Sequence, residues 1–273
     1  MPNIYVPNLN PFRKKIYGWL PDPQTLELPE GVVNWLSRDK DVNELLAVVP
    51  VKSNADVDLR VYCTDSHQGS LSSCVGNAIA DSVEIVSAIA GSGHTELSRL
   101  FVYAMARILN GTLNQDKGTH IRSGFETLTK FGICAESAWP HLPRNVFTSP
   151  SLQAQQQARG HRIHSYYRIK STGTQRVADA VAALRAHKPV VFGTLINKDF
   201  HGIRTMDPVG VPKSPHIGGH AMVLVGYVKG NFIVKNSWGP GWGVDGYWTM
   251  TSDYFAWAST WDMWVPTLGT EFR

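Results

Sequence analysis

One stretch of this chain is typical of a helix that is apolar on almost every side. Between Val75 and Ala90 the apolar residues recur at helical spacing, and Gly91 marks the end of the pattern. Ser72 or Ser73 is suited to begin the helix, because a serine hydroxyl can cap the first free backbone N–H groups. A helix without a polar face has to be covered on all sides. The sequence therefore predicts a central, buried helix around which the other elements pack.

The elements after this helix change from helical to strand periodicity. Helices are predicted for residues 98–110, 121–130 and 174–187, and strands for residues 190–195, 221–227, 231–235 and 246–250. The Lys229-Gly230-Asn231 turn is typical of a hairpin. Helices followed by strands predict an α+β chain with two lobes. The cleft between two such lobes is a usual place for a binding or catalytic site.

The first 56 residues differ in composition from the rest of the chain. They hold seven of the sixteen prolines, spaced too closely for long helices to persist. Only residues 31–49 have a helix-like pattern. We interpret residues 1–56 as an extended arm with one short helix, followed by a single domain over residues 57–273. That domain is predicted to be mainly helical over residues 57–165 and mainly β over residues 166–273.

Charge and hydropathy argue against several classes of function. The net charge is +4, with no run of five like charges, so the sequence gives no support for nucleic-acid binding. No apolar stretch reaches the roughly 18 residues that a membrane span needs. The N-terminal residues lack the apolar segment of a secretory signal, which leaves a cytoplasmic location or export by a route that the sequence does not reveal.

Three cysteines are too few for a disulfide scaffold. An odd number leaves at least one thiol free in a monomer. Cys63 and Cys134 either pair with each other or pack as two small buried thiols. No Cys/His spacing fits a structural zinc site, and neither a metal nor a cofactor is expected.

Cys74 stands at the start of the central helix, where a thiol can become a nucleophile. A helix N-terminus lowers the pKa of a thiol, and a nearby imidazole completes the activation by taking its proton. His220 is the candidate imidazole, since it follows two glycines at the start of a predicted strand. The resting pair is then expected to be a thiolate and an imidazolium.

Two amide side chains fill the remaining roles of such a site. Asn236 lies sixteen residues after His220, at the end of the next strand of the hairpin, where its side-chain oxygen can orient the imidazole. Trp238 is placed to cover that hydrogen bond and exclude water. Gln68 lies six residues before Cys74, and its amide and the Cys74 backbone N–H are candidate donors to an oxyanion.

Three segments together resemble the signature blocks of the papain-like cysteine peptidases. They are Gln68-Gly-Ser-Leu-Ser-Ser-Cys74, Gly219-His220-Ala221 and Asn236-Ser-Trp238-Gly-Pro-Gly-Trp242-Gly. The similarity covers about residues 57–265. Leu71 and Val75 depart from papain itself and resemble the bacterial branch of the family. The resemblance implies a helical lobe that carries the nucleophile, a β-barrel-like lobe and an active-site cleft between them.

The resemblance also implies a substrate-binding region and an inhibitory arm. Gly118-Thr119 aligns with the glycine pair that binds substrate backbone in the family, with one glycine kept. Gly218 and Gly219 align with the wall of the pocket for the second substrate residue upstream of the cut, and two glycines there predict a roomy pocket. Residues 1–56 occupy the place of the family's inhibitory segment, so they are expected to cross the cleft and block it. A structural strap elsewhere on the surface is the alternative.

The combined pattern predicts a monomeric cysteine endopeptidase that acts on peptides or proteins and is made as a zymogen. An acyl transferase or ligase would use the same thioester intermediate, and no motif separates the two. A catalytically inactive binding protein would be expected to lack one of the four groups, yet Gln68, Cys74, His220 and Asn236 are all present.

Overall fold

The computed structural model of the chain describes residues 17–22, 39–49 and 55–269. The α-helices are α1 (Val42–Leu46), α2 (Cys74–Ile89), α3 (Arg99–Leu109), α4 (Ile121–Phe131), α5 (Leu152–Ala158), α6 (Gly173–Arg185) and α7 (Ser252–Ala256). The strands are β1 (Val57–Asp58), β2 (Ile163–Arg168), β3 (Val190–Asn197), β4 (His216–Val228), β5 (Asn231–Lys235), β6 (Tyr247–Thr251) and β7 (Thr260–Leu268). In this part of the chain, no helix is long and apolar enough to cross a membrane.

Helix α2 is the buried centre that its sequence predicts. Nearly all of its side chains are buried, with α3 and α4 packed on it from the helical layer and β4 from the sheet. A Cβ on Gly76 would lie 2.4 Å from the Arg99 carbonyl oxygen, so only glycine allows α3 to approach this closely. Ser73 is the N-cap residue, but its hydroxyl makes no capping bond and lies 2.9 Å from His141 Nε2.

The other predicted helices also form, with small shifts at their ends. Ser98 caps α3 by accepting a hydrogen bond of 3.0 Å from the Phe101 N–H. Gly132 ends α4 with a φ of +79°, a conformation that glycine adopts easily. Part of the helix expected over residues 31–49 lies outside the described residues, and the described part forms α1. The sequence did not predict α5, α7 or the strands β2 and β7, which follow one another at one side of the sheet.

All strands belong to one antiparallel sheet in the order β2-β7-β3-β4-β5-β6, with β1 paired to β4. Lys229 and Gly230 form the predicted hairpin turn, both with positive φ. The β3–β4 register sets Thr194 opposite His220, and both side chains are buried. The α+β class is therefore confirmed, with helices packed against an antiparallel sheet.

A buried ionic cluster joins the helical layer to the sheet next to the cleft. Lys235 Nζ, at the end of β5, lies 2.8 Å from Asp81 Oδ2 on α2 and donates to Ser66 Oγ at 2.6 Å. Arg99, at the start of α3, contacts the other Asp81 oxygen at 3.2 Å and also Glu84. Because Lys235 directly precedes Asn236, this cluster fixes the end of β5 against α2.

Asp81→Asn is expected to destabilise the chain by roughly 3–5 kcal/mol, since it leaves the buried Lys235 and Arg99 charges short of a partner. The measurement is the free energy of unfolding in urea. Asp58→Asn is the matched control, because Asp58 pairs with Arg60 at the surface and such pairs contribute about 0–1 kcal/mol. Equal losses in the two variants would contradict the role assigned to the buried cluster.

Candidate active site

Cys74 is the first residue of α2, and its side chain is fully buried. Its own backbone N–H and that of Val75 point towards the sulfur, as expected at a helix start, where N–H groups have no partner within the helix. Two further N–H groups reach the sulfur from outside the helix. One belongs to Ala221 on β4, and the other belongs to Gly18 in the arm.

His220 and Asn236 form the hydrogen bond expected between neighbouring strands. His220 Nε2 lies 2.7 Å from Asn236 Oδ1, and both side chains are buried. The other ring nitrogen, Nδ1, has no hydrogen-bond partner among the described residues. Because Ala221 follows His220 and contacts the Cys74 sulfur, the imidazole lies on the strand segment that borders the thiol. The arrangement leaves Nδ1 as the atom available to exchange a proton.

Gln68 is tied to Asn236 through Ser237. The Gln68 side-chain oxygen accepts from Ser237 Oγ at 2.7 Å, and the Gln68 N–H donates to the Ser237 carbonyl at 2.8 Å. The Ser237 N–H in turn donates to Asn236 Oδ1 at 2.8 Å. Since the Gln68 oxygen is engaged, its Nε2 is the donor end, and it bonds the Leu71 carbonyl at 2.9 Å. Ser237, which bonds both amide side chains, was not predicted from the sequence.

An aromatic cluster covers the histidine. The ring centroids of Trp238 and His220 are 5.1 Å apart. Phe200 packs between Trp238, Trp242 and Trp248 at centroid distances of 4.9–5.2 Å. Apolar rings around the His220–Asn236 bond exclude water, and a hydrogen bond is stronger in such surroundings.

The arm pairs with Thr119 through its backbone. The Thr119 N–H donates to the Gly18 carbonyl at 2.9 Å, and the Leu20 N–H donates to the Thr119 carbonyl at 3.0 Å, so Trp19 and Thr119 form a parallel bridge. A Cβ on Gly118 would lie 2.0 Å from the Gly18 oxygen, so the glycine at this position allows the close approach. The strand-like addition predicted at Gly118-Thr119 is thus made by the chain's own residues.

Two aromatic side chains of the arm lie on glycines of β4. Tyr17 lies over Gly218, where a Cβ would be 2.6 Å from its ring, and its hydroxyl is 2.6 Å from His201 Nε2. Trp19 is buried over Gly219, where a Cβ would be 2.8 Å from its ring. The two arm rings therefore lie where side chains at positions 218 and 219 would otherwise stand.

Later arm residues attach to the body at a different place. Val42 and Leu45 of α1 are buried in the main core, and α1 contacts α6 and β2. Asp39 forms salt bridges with Arg122 at 3.0 Å and with Arg168 at 3.1 Å. Residues 39–49 therefore pack as a structural strap, whereas residues 17–22 lie in the cleft. Arm residues 1–16, 23–38 and 50–54 lie outside the described residues, and the blocking of the cleft by the arm stays a prediction.

Burial sets the protonation of the Cys74 and His220 side chains in this form. It raises the pKa of the Cys74 thiol to about 12, although the Ala221 and Gly18 N–H groups oppose the shift. It lowers the pKa of His220 to about 4, against the favourable bond to Asn236. A group with a pKa of about 12 is protonated at neutral pH, and an imidazole with a pKa of about 4 is neutral there. In this covered form burial thus favours the neutral pair over the thiolate and imidazolium expected from the sequence.

The remaining cysteines are free thiols outside the cleft. Cys63, Cys74 and Cys134 form no disulfide. The Cys63 sulfur lies 3.6 Å from the Leu59 carbonyl, whereas Cys134 is buried in the smaller core of the helical layer. Of the two alternatives for Cys63 and Cys134, the structure has the packed thiols.

The fold places a buried cysteine at the head of a helix against a histidine–asparagine pair on an antiparallel sheet, which is the arrangement of a papain-like cysteine peptidase. The family described as papain family cysteine protease matches residues 55–260. The chain is similar to xylellain, a cysteine protease from Xylella fastidiosa, with 28% identity, a TM-score of 0.75 and coverage of 94% of this chain and 97% of that one.

Curated relatives give the same assignment. An uncharacterized peptidase C1-like protein of Acanthamoeba polyphaga mimivirus is 34% identical over 211 residues, which is 73% of this chain and 68% of the relative. A cysteine protease of Blomia tropicalis is 26% identical, with coverage of 66% of this chain and 55% of that protein. The chain thus spans about two thirds or less of the length of these relatives. It belongs to the papain family of cysteine proteases.

Proposed function

We propose that the chain is a cysteine endopeptidase in which Cys74 is the nucleophile, and that residues 17–22 keep it inactive. The observation that carries the catalytic assignment is the orientation of His220. Asn236 holds Nε2 at 2.7 Å, and the buried Nδ1 is left without a partner on the strand that borders the Cys74 sulfur. Proton transfer to and from a thiol requires an imidazole that is oriented through one ring nitrogen and can accept a proton on the other.

In this mechanism Cys74 gives its proton to His220 Nδ1 and attacks the substrate carbonyl carbon. The oxygen becomes an oxyanion that accepts hydrogen bonds from the Gln68 amide and the Cys74 backbone N–H. When the C–N bond breaks, His220 returns the proton to the departing amine, which leaves a thioester on Cys74. Water then attacks the thioester while His220 takes its proton, and the thiol is released with a carboxylic acid.

Residues 17–22 occupy the positions that this mechanism assigns to a substrate. The Gly18 N–H points at the Cys74 sulfur, and the Thr119 backbone pairs with the arm as it would with an extended peptide. Trp19 and Tyr17 lie on the glycines of the pocket wall. A substrate therefore has to displace this segment before Cys74 can reach a carbonyl.

Removal of the segment is also what allows the catalytic ion pair to form. Once water enters the cleft, the burial penalty on the charged thiolate and imidazolium falls. The helix N–H groups at the sulfur and the Asn236 bond to His220 both favour the charged forms. We therefore expect the neutral pair of the covered site to become an ion pair in the open site.

The test uses a chain that folds whole and is then cut by a site-specific protease at a recognition sequence placed within residues 23–38. This cut separates residues 17–22 from the strap at residues 39–49, and we refer to the product, freed of its N-terminal fragment, as the cut chain. It should hydrolyse an internally quenched peptide that is blocked at both ends, since an endopeptidase needs no free terminus. Acid quenching during turnover should trap a thioester on Cys74, detected by intact mass.

Amine acceptors added during turnover separate hydrolysis from acyl transfer. For a hydrolase, water should remain the main acceptor at millimolar amine. Cleavage that needs a free peptide terminus would contradict the endopeptidase assignment, and a dominant amide product would favour the acyl transferase.

A further inference from the structure

The pocket that holds Trp19 has a charged acceptor at its base. Trp19 Nε1 donates to Asp262 Oδ2 at 3.1 Å, and both side chains are buried. The walls of the pocket are two glycines on adjacent strands. A Cβ on Gly193 of β3 would lie 2.0 Å from the ring carbon Cε2, and one on Gly219 of β4 would lie 2.8 Å from Cε3. Trp261 closes one side, with its ring edge-on at 4.8 Å.

The backbone of β7 holds Asp262 in place. Asp262 has a φ of +63°, in the left-handed region that aspartate tolerates better than most residues. Its second oxygen, Oδ1, accepts from Trp264 Nε1 at 2.6 Å and lies 3.9 Å from the Arg168 guanidinium. Each carboxylate oxygen thus accepts a hydrogen bond from an indole N–H. A protonated carboxyl group would have to donate its own hydrogen, and an indole nitrogen cannot accept it. Burial raises the pKa of Asp262, whereas Arg168 and the two indole donors favour the ionised form.

With residues 17–22 displaced, Asp262 Oδ2 loses the indole donor of Trp19, whereas Oδ1 keeps that of Trp264. A buried charged acceptor without a donor is costly, so a side chain that supplies an N–H at this place binds better than one of equal size that does not. In the structure the group at Oδ2 is a neutral indole N–H, whereas Arg168 lies on the Oδ1 side and also pairs with Asp39 at 3.1 Å and Asp22 at 3.4 Å. The pocket walls admit a flat ring, since neither Gly193 nor Gly219 projects a side chain into it.

From this geometry we infer that Asp262 is a specificity-determining residue and that the pocket selects a substrate side chain that is a flat aromatic ring with an N–H donor, which among natural residues is tryptophan. The inference rests on the proposed function, because it concerns the same cleft. It adds a substrate class that follows from the acceptor at the base of the pocket and the two glycine walls.

The first test is binding, and it does not depend on turnover. The cut chain carrying Cys74→Ala is titrated with the hexapeptide Tyr-Gly-Trp-Leu-Pro-Asp, which has the sequence of residues 17–22. The comparison peptide has 3-benzothienylalanine in place of tryptophan, with sulfur replacing the ring N–H at nearly the same size. The tryptophan peptide should bind about 10- to 100-fold more tightly, the usual advantage of a hydrogen bond to a charged group. Equal dissociation constants would overturn the inference.

The second test is turnover by the cut chain with Cys74 intact. Blocked peptides differ only at the second residue upstream of the cut, which is tryptophan, 3-benzothienylalanine, phenylalanine or arginine. Tryptophan should give the highest kcat/KM, about tenfold or more above benzothienylalanine. A preference for arginine, or equal values for tryptophan and its isostere, would overturn the inference. If no peptide is cleaved while the binding difference persists, the proposed function fails and the pocket assignment stands.

Two variants separate the acceptor from the shape of the pocket. In Asp262→Asn the side-chain oxygen can still accept the hydrogen bond from Trp264 Nε1, so the NH2 group faces the N–H of the substrate ring. The tighter binding of the tryptophan peptide over its benzothienylalanine counterpart should then disappear. Asparagine suits the positive φ, which keeps the backbone of β7. In Gly193→Ala the new methyl occupies the space of the ring, so all large aromatic substrates should be lost together in favour of small side chains. Retention of the tryptophan advantage in Asp262→Asn would contradict the assignment even if Gly193→Ala failed to fold.

Discussion

Replacement of Cys74 by alanine is expected to lower kcat for peptide hydrolysis by the cut chain about 10⁶-fold, the size of effect seen when the nucleophile of a catalytic triad is removed. Without the sulfur there is no thioester, and binding and oxyanion stabilisation act only on the slow attack of water. Alanine occupies less space than cysteine in the same buried position, so the fold should persist. The measurement is single-turnover hydrolysis of a blocked peptide, with the far-UV circular dichroism recorded for each protein.

Cys134→Ala is the matched control for this loss. Cys134 is also buried, and burial raises the pKa of its thiol to about 12, yet it lies in the separate core of the helical layer. Its removal should leave kcat unchanged. Residual activity of Cys74→Ala above about a hundredth of the parent value would refute Cys74 as nucleophile, because loss of a triad nucleophile leaves far less.

Cutting the folded chain within residues 23–38 should raise its rate of peptide hydrolysis about 100-fold. A tethered segment acts at an effective concentration of about 1 mM. A short contact worth about −7 kcal/mol, which is within reach of one buried indole and a few hydrogen bonds, corresponds to a Kd of about 10 μM. The ratio of the effective concentration to this Kd gives the expected increase in rate of about 100-fold. The free fragment has to be diluted well below the Kd for the full increase to be seen.

The control for the cut uses the same recognition sequence and protease and changes only the position of the nick. A recognition sequence placed within residues 51–54, on the body side of the strap, leaves residues 17–22 joined to the strap. Since Val42 and Leu45 are buried in the core and Asp39 is paired with Arg122 and Arg168, that nick should release the arm poorly. Equal activation by both nicks would show that the strap contributes nothing to holding residues 17–22 in place.

The sequence predicted the elements of the site because their signals are local. The apolar period of α2, the glycines before His220 and the hairpin that carries Asn236 are each contained within about twenty residues. The ends of α3, α4 and α6 followed from serine, glycine and proline signals for the same reason. Ser237 was missed because its role depends on the contact between Gln68 and the end of β5, which only the folded chain brings together.

The base of the Trp19 pocket could not be predicted for a related reason. Asp262, Gly193 and Gly219 are neighbours only through the strand order β7-β3-β4, and nothing local marks β7 as lying beside β3. Trp264 packs in the core, whereas Trp261 packs partly on the core and also lies against Trp19. A tryptophan within a proline-rich arm was the available signal, since a side chain of that size seldom lies in such a segment without a binding surface.

The glycines at 118, 218 and 219 predicted space beside the site, but not that residues 17–22 fill it, because the backbone pairing with Thr119 forms only in the folded chain. Proline spacing predicted an extended arm and did not distinguish a cover from a strap. Both segments have buried apolar side chains and a carboxylate paired with Arg168, which is Asp39 at 3.1 Å in one and Asp22 at 3.4 Å in the other. Residues 17–22 differ in their position, because they lie against the Cys74 sulfur and the glycines of β4.

The most direct test of the covered nucleophile is alkylation of Cys74 with iodoacetamide at about pH 6, followed by peptide mapping, in the full chain and in the cut chain. With a pKa of about 12 and no exposed surface, Cys74 should stay unlabelled in the full chain. In the cut chain Cys74 should be the first of the three thiols to react, because only a thiolate paired with His220 persists at that pH. Equal labelling of Cys74 before and after the cut, or labelling no faster than that of Cys63, would contradict the account.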